Sequence, residues 1–427
     1  MVLFCFFELV NEARYSNIKV LHIVAGNING GAARGAYWLH RGLLENNVKS
    51  KILTNSRVDI DDNSVISICR TPFDRLKYCI WKKLESLLLL FFPKKLNSAF
   101  STGLFGFNLI KHKEFIEADI IHLHWINDCF INMKLLSTIN KPIVWTLRDM
   151  WPFTGGCHVA ESIGCDNYKY GCGSCKSLGS NKSNDLSKFI IRNKVKYFPK
   201  KMKIIGISNW ITRKALDSYI FKNFSVQTIP NNIDIKFFTN FSKSSSKKKL
   251  GINTQKKIIC CGASSLNDKW KGFDLFIKCL FLLDSKKYFI ILFGTVDSKI
   301  IKNLKFEYKN FGFVQNNNFL NNIYSASDVF VAPSYVESFG KTIAESMLCG
   351  TPAVCFDATG SRDIISHKKD GYVARSFEPN DLASGIQWVC NICDYKKISS
   401  EAEKKIKSNY SSLDISRKYI DLYKGLI

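Results

Sequence analysis

The chain has 427 residues, 46% hydrophobic and 23% charged, a globular composition long enough for two or three domains with full cores. Its net charge of +25 is the outlying property. Such a balance suits a polyanion, an anionic membrane surface or phosphorylated substrates, and a solvated basic surface is the plainer alternative. No apolar run reaches membrane-spanning length, and the opening MVLFCFFELV, with Glu8 and no basic start, makes a poor signal peptide. Residues 1–17 are therefore expected to be an extension before the first strand, or a small surface anchor. Without export the compartment is reducing, so the 15 cysteines are expected as thiols or metal ligands rather than a disulfide framework.

Ile18–Ala25 (IKVLHIVA) predicts the first strand, followed by the small-residue turn Gly26–Gly35 (GNINGGAARG) and an amphipathic helix through Leu43. Gly30, Gly31 and Arg34 at that helix start suit a phosphate or a close backbone approach, although the turn is not GxGxxG. Leu87–Phe92 (LLLLFF), flanked by Lys82, Lys83, Lys94 and Lys95, reads either as an interfacial segment on anionic lipid or as a buried helix with basic ends. Further strands are expected at Asp119–Trp125, Ile143–Leu147 and Ile204–Ile207. Between the last two, Cys157-x7-Cys165-x6-Cys172-x2-Cys175 gathers four thiols in a polar, glycine-rich loop that is expected not to bury them. A closed structural zinc site fits this spacing, with labile disulfides or free thiols as the alternatives.

After Pro230 the pattern restarts. Asn240–Leu250, rich in Ser and Lys, reads as a loop. Lys257–Cys261, Tyr288–Phe293, Asp328–Ala332 and Pro352–Phe356 are expected strands. Lys269 and Lys271 follow the first of these, where a lysine can neutralise a pyrophosphate. Lys341–Leu348 predicts a helix that starts at Gly340 and is closed by Gly350 and Pro352. Its N-terminus, with the Phe339, Gly340 and Lys341 amides, is a ready anion site. Glu337 precedes it in the loop and Glu345 lies inside it. The regular alternation predicts an α/β chain of two doubly wound domains, with ligands at the carboxyl ends of strands and a cleft between the halves.

Glu337-x7-Glu345 within ESFGKTIAESMLCGTPAV resembles the donor-site signature of retaining GT-B glycosyltransferases of family four. IPNNID (229–234) resembles the segment opening their second domain. FDATGSRDIISHKKDGYVA (356–374) and WTLRDMWPFTGGCH (145–158) are similar to the subgroup serving colanic-acid and O-antigen polysaccharides. The resemblance runs from about Ile18 to the C-terminus. It implies the GT-B fold, two Rossmann-like domains facing a central cleft. The implied partition is an acceptor domain at 18–228 with a Cys-rich insertion at 155–180, a nucleotide-sugar domain at 229–400, and a C-terminal helix at 401–427 packing back on the first.

By the same resemblance Glu345 holds the donor's ribose, Glu337 the transferred sugar, Ser338 to Lys341 the sugar and phosphate, and Lys271 the pyrophosphate. The two acids then grip one donor, unlike a glycosidase pair flanking the scissile bond. Leu266 and Ser265 stand where the family commonly has an arginine, and Lys269 can substitute as a point charge. Arg148-Asp149 replaces the family's usual His-Asp, which leaves His124, Asp149 and His158 as first-domain candidates, the histidines equally explicable as structural. The implied partners are a nucleotide-diphosphate sugar, a lipid-linked oligosaccharide acceptor and the inner, anionic face of the cytoplasmic membrane. No catalytic divalent metal and no nucleic acid are expected. The rival readings are a nucleotide-sugar epimerase or phosphorylase on the same fold, and a basic zinc-containing nucleic-acid-binding protein.

Overall fold

The computed structural model describes residues 18–427 apart from 29, 59–60, 94 and 97–98. The extension expected at 1–17, and Lys94 of the basic flank, lie outside the described residues. The chain divides into two compact units: the first ends at Asn232 and takes back Ser412–Ile427, and the second is Ile233–Ser411.

In the first unit, β1 (Lys19–Ile23), β2 (Lys49–Thr54), β3 (Val65–Ser67), β4 (Ile120–Leu123), β5 (Ile143–Leu147), β6 (Lys203–Gly206) and β7 (Val226–Thr228) form one sheet in the order β3-β2-β1-β4-β5-β6-β7. Every pairing is parallel. β4 and β5 are buried along their whole length, as expected of strands covered on both faces. The Gly31–Glu45 helix follows β1, and the Ser412–Lys424 helix lies against it. The approach is close at Gly42, where a Cβ would meet the Ser412 carbonyl oxygen at 2.4 Å. Ile415, Tyr419 and Tyr423 join Val20, Leu39 and Leu43 in one core.

In the second unit, β8 (Lys257–Ser265), β9 (Tyr288–Thr295), β10 (Glu307–Asn310), β11 (Val329–Ala332), β12 (Ala353–Phe356) and β13 (Gly371–Ala374) run β10-β9-β8-β11-β12-β13, again all parallel. The Tyr395–Asn409 helix stays with this unit and packs on the Lys341–Leu348 helix. The two doubly wound sheets are those the alternation predicts. Lys243–Lys249, read from composition as a loop, is a helix. Its buried Ser246 and the 2.8 Å pair from Lys243 to Asp328 tie it to the core, so tertiary contact overrides a weak local signal.

Candidate functional site

In each sheet the strand order reverses at one point, between β1 and β4 and between β8 and β11, and ligands of such sheets bind outside the carboxyl ends there. In the second unit β8 ends in an irregular register between Gly262 and Ser265 and leads to the 3-10 turn Lys269–Lys271. Gly272 follows with φ +67°, and a Cβ on it would lie 1.9 Å from the Pro333 carbonyl oxygen. Only glycine allows that contact, which locks the turn against the loop after β11. The Tyr335 and Val336 amides donate to the Trp270 carbonyl at 2.8 and 3.2 Å, completing the lock.

This brings Lys271 Nζ to 2.6 Å from Glu337 Oε2, with both side chains about a quarter exposed. Gly340 (φ +101°) opens the Lys341–Leu348 helix, whose N-terminus has no side-chain cap and no acid in its first turn. Lys271, Glu337, Gly340, Thr342 and Ser361 line one cavity. Ser361 Oγ is buried there and has no hydrogen-bond partner among the described residues. An unsatisfied buried hydroxyl costs about 1–3 kcal/mol, and a ligand oxygen would remove that cost. Sequence reasoning missed this serine; its place after β12, beside Gly340, appears only in three dimensions.

The remaining predicted residues fall differently. Lys269 is exposed and outside the cavity lining. Ser338 is half-buried, while Phe339 is buried edge-on to Tyr410 with ring centroids 5.6 Å apart, so its side chain anchors the loop. Glu345 is buried, accepts the Tyr324 hydroxyl at 3.0 Å and is not among the groups lining the Lys271–Glu337 cavity.

In the first unit Gly30 caps the Gly31–Glu45 helix through backbone geometry alone, and Arg34 lies over the Trp38 ring at 5.8 Å. Gly35 has a sharper role. A Cβ there would sit 2.6 Å from Arg148 Nη1, so this glycine makes room for the guanidinium at the carboxyl end of β5. Arg148 donates to Asn231 Oδ1 and lies 3.2 Å from His124 Nδ1. No carboxylate lies within ion-pair distance of it among the described residues, and burial pulls its pKa down to about 10.

His124 is buried rather than open to a substrate. Its Nε2 lies 2.8 Å from His22 Nδ1, while His122 engages the Tyr423 and Thr146 hydroxyls at 2.6 and 2.8 Å. Burial, with the other cationic groups as lesser causes, holds all three histidines well below their ordinary pKa. Their ligand atoms lie within 4.8 Å of one another. The set does not suit a metal cation, because both nitrogens of His122 and His124 are engaged and a guanidinium adjoins them. Arg148 donating to His124 Nδ1 assigns the tautomers along this chain and leaves an N–H on His22 Nε2, which has no acceptor among the described residues.

Asp149 accepts from the Trp151 amide at 2.9 Å, from Trp125 Nε1 at 2.8 Å and faces His158 Nδ1 at 2.6 Å. His158 Nε2 in turn lies 2.9 Å from Ser101 Oγ. Asp149 is thus fully engaged in holding His158. The loop that follows buries Cys157, Cys165 and Cys175 and partly buries Cys172, against the expectation that it could not. Its 3-10 turns fold it against the first unit, with Tyr168 edge-on to Phe153 at 5.6 Å.

Residues 242–405, within the second unit, match the family described as glycosyl transferases group 1. An uncharacterized glycosyltransferase of Methanocaldococcus jannaschii is 32% identical over 114 residues, 26% of this chain and 29% of that one. A glycogen synthase of Clostridium perfringens is 26% identical over 233 residues, 49% of this chain and 45% of the relative. The chain thus spans less than half the length of these curated relatives.

Among solved structures, sucrose-phosphate synthase from Thermosynechococcus elongatus superposes with a TM-score of 0.69 at 15% identity, over 96% of this chain and 99% of that one. Anabaena HepE in complex with UDP-glucose gives 0.61 at 16%, over 96% and 100%. WaaG, a glycosyltransferase involved in lipopolysaccharide biosynthesis, gives 0.61 at 14%, over 94% and 99%. The fold is GT-B, and residues 242–405 carry the pattern of the group 1 glycosyl transferases.

Proposed function

We propose that the protein is a retaining glycosyltransferase that moves a sugar from a nucleotide-diphosphate donor to a lipid-linked glycan in the assembly of a surface polysaccharide. The observation that carries the reading is the Lys271–Glu337–Gly340 cavity at the switch point of the second sheet. The bond from the anomeric carbon to the diphosphate breaks, and an acceptor hydroxyl oxygen takes its place while its proton passes to the departing diphosphate. Lys271 and the helix N-terminus stabilise the charge that grows on the diphosphate, so no divalent metal is required. Glu337 grips the transferred sugar, Ser361 meets a donor oxygen, and Glu345 takes the ribose once Tyr324 yields. HepE's complex with UDP-glucose supports a nucleotide-sugar donor. In the first unit Arg148, with no carboxylate within ion-pair distance among the described residues, is suited to an anionic group, with Gly31 and Arg34 at the neighbouring helix start.

The lipid-linked acceptor rests on the Pro72–Leu90 helix, none of whose side chains is buried. Tyr78, Lys82 and Glu85 tie it to the first unit through Asp128 and Thr102. Phe73, Leu76, Ile80, Leu84 and Leu87 recur at helical spacing on the other side and are 72%, 58%, 48%, 40% and 54% exposed. A helix held by these polar groups and by Trp81 edge-on to Phe107 at 4.7 Å, and showing its apolar stripe to water with lysines beside it, suits the headgroup boundary of an anionic membrane. No helix among the described residues is long and apolar enough to cross one. The glycogen synthase relatives favour a second reading, elongation of a soluble glucan.

The test is transfer of labelled sugar from a panel of UDP-, GDP- and ADP-sugars, with anionic membranes bearing lipid-linked glycans or with soluble glucan as acceptor. Label in the lipid fraction supports the proposal. Label in the glucan alone moves the function to the second reading, and donor conversion without any acceptor would indicate an epimerase.

A further inference from the structure

Cys157, Cys165, Cys172 and Cys175 line a single small cavity in the first unit, closed by Thr154, Tyr168 and Ser187. Residues 171–174 all have positive φ: Gly171 +88°, Cys172 +53°, Gly173 +95° and Ser174 +45°. Left-handed Cys and Ser each cost about 1–2 kcal/mol, so the turn persists only because its surroundings hold it. The Gly173 amide donates to Ser187 Oγ at 3.0 Å and the Cys175 amide to Asp185 Oδ2 at 2.9 Å. The effect is to wrap both cysteines of the C-x2-C pair around the cavity.

Backbone N–H groups are aimed at three of the four sulfurs. The Asn167 amide lies by Cys165, the Gly155 amide by Cys172 and the Ser177 amide by Cys175, while the Leu178 amide donates to the Cys175 carbonyl oxygen at 3.1 Å. Amides turned onto a sulfur, such as those of Asn167 and Ser177 two residues after Cys165 and Cys175, stabilise a thiolate far more than a thiol. The Ser177 hydroxyl points at Cys157, which is also hydrogen-bonded to Cys175.

Lys194, on the Leu186–Tyr197 helix, is fully buried. Its ammonium donates to the carbonyl oxygens of Trp151 and Thr154 and lies 3.5 Å from the Trp151 ring centroid. No carboxylate is within ion-pair distance of it among the described residues; burial holds its pKa well below the ordinary lysine value, and the charges that oppose this are those of Cys172, Asp149 and Cys157. An isolated buried ammonium is costly unless an anion stands near. Four neutral thiols do not supply one, and Asp149, beyond ion-pair distance, is already engaged by Trp125 and His158. A divalent ion held by four thiolates carries a net charge of −2, and Lys194 is its counter-charge.

We propose that these four cysteines bind one zinc ion as a tetrathiolate, with Lys194 as a buried cation that offsets half of its net charge. Among the described residues the only three ligand groups within 4.8 Å of one another are His22, His122 and His124, so the sulfurs stand wider than a bound ion would hold them. Zinc–sulfur bonds of about 2.3 Å would draw the loop inward around the existing cavity. The role is structural, since four protein ligands leave no position for a substrate. It fixes the segment that begins at Cys157, and with it the adjoining His158 on Asp149.

The full chain, purified under reducing conditions, is expected to contain about one zinc per chain by elemental analysis. Cobalt substituted for the zinc is expected to give sulfur-to-metal charge-transfer absorption and intense visible bands of a tetrahedral site. The Cys172→Ser, Cys175→Ser double variant should lose both signals. If it fails to fold, the wild-type zinc content and cobalt spectrum decide alone. Lys194→Met should retain the metal less tightly, seen as faster release to a chelator. Wild-type protein without zinc and without cobalt thiolate bands, or with its four cysteines in two disulfides by mass, overturns the assignment.

Discussion

At the residue scale, the 2.6 Å pair of Lys271 and Glu337 sets two roles against each other. A diphosphate competes with Glu337 for the lysine, whereas the sugar needs the carboxylate. Lys271→Ala is expected to lower kcat about 10²–10³-fold, the size of losing one charge-stabilising group in a closed site. Glu337→Gln should separate the roles: the nucleoside diphosphate binds severalfold tighter by calorimetry, while sugar transfer falls. Weaker diphosphate binding in that variant would contradict the competition.

Gly35→Ala is a different probe, because its Cβ would lie 2.6 Å from Arg148 Nη1 and 3.1 Å from Asn231 Oδ1. It should destabilise the protein by about 1–3 kcal/mol in denaturant titration. The motif residues Glu337, Gly340 and Lys271 were legible in the sequence because backbone turns and charge leave local marks. Ser361, Gly35 and the engagement of Asp149 were not, since each depends on what a distant segment brings alongside.

At the element scale, strands β1, β4, β5, β6, β8, β9, β11 and β12 were legible from their continuous apolar runs. The short β3, β7 and β10 were not, being only partly buried and carrying polar residues. The Pro72–Leu90 helix was seen in sequence only through its LLLLFF end, since its stripe starts at Phe73 among charged residues. Replacing Leu76, Ile80, Leu84 and Leu87 by glutamine should weaken binding to anionic vesicles at least ~10-fold, with circular dichroism unchanged because these side chains are exposed. Retained vesicle binding would remove the membrane-facing role from this helix.

The buried histidines make a second prediction at this scale. Burial lowers His40 from its ordinary 6.5 to about 4, and His22, His122 and His124 also lie well below 6.5. The unfolded chain therefore binds more protons between the folded and unfolded values. Stability is fully present above about pH 6.5 and falls as pH drops, by about 1.4 kcal/mol per pH unit for each such histidine until its folded pKa is reached. Urea unfolding from about pH 7.5 to about pH 5 should show this decline, and stability rising on acidification would contradict it.

At the scale of the whole molecule, alternation of strand and helix was enough to foresee two parallel sheets, because each βα step writes its own hydrophobic period. The partition of the C-terminal segment was harder. Tyr395–Asn409 and Ser412–Lys424 are both amphipathic helices, yet the first packs in the second unit and the second lies in the first. The close approach at Gly42 and the Tyr419 and Tyr423 hydroxyls on Thr146 and His122 separate them. The charge of +25 fits anionic substrates and an anionic surface together, but charge alone assigns neither.

The central claim is that a nucleotide-diphosphate sugar binds at the carboxyl ends of β8 and β11 through Lys271. The most direct measurement is calorimetric titration of wild-type and Lys271→Ala protein with a panel of UDP-, GDP- and ADP-sugars. Saturable binding of at least one of them to wild type is expected, with affinity at least ~10-fold lower in the variant on losing a charge-assisted contact. Equal affinity in the two proteins, or no binding across the panel, would contradict it.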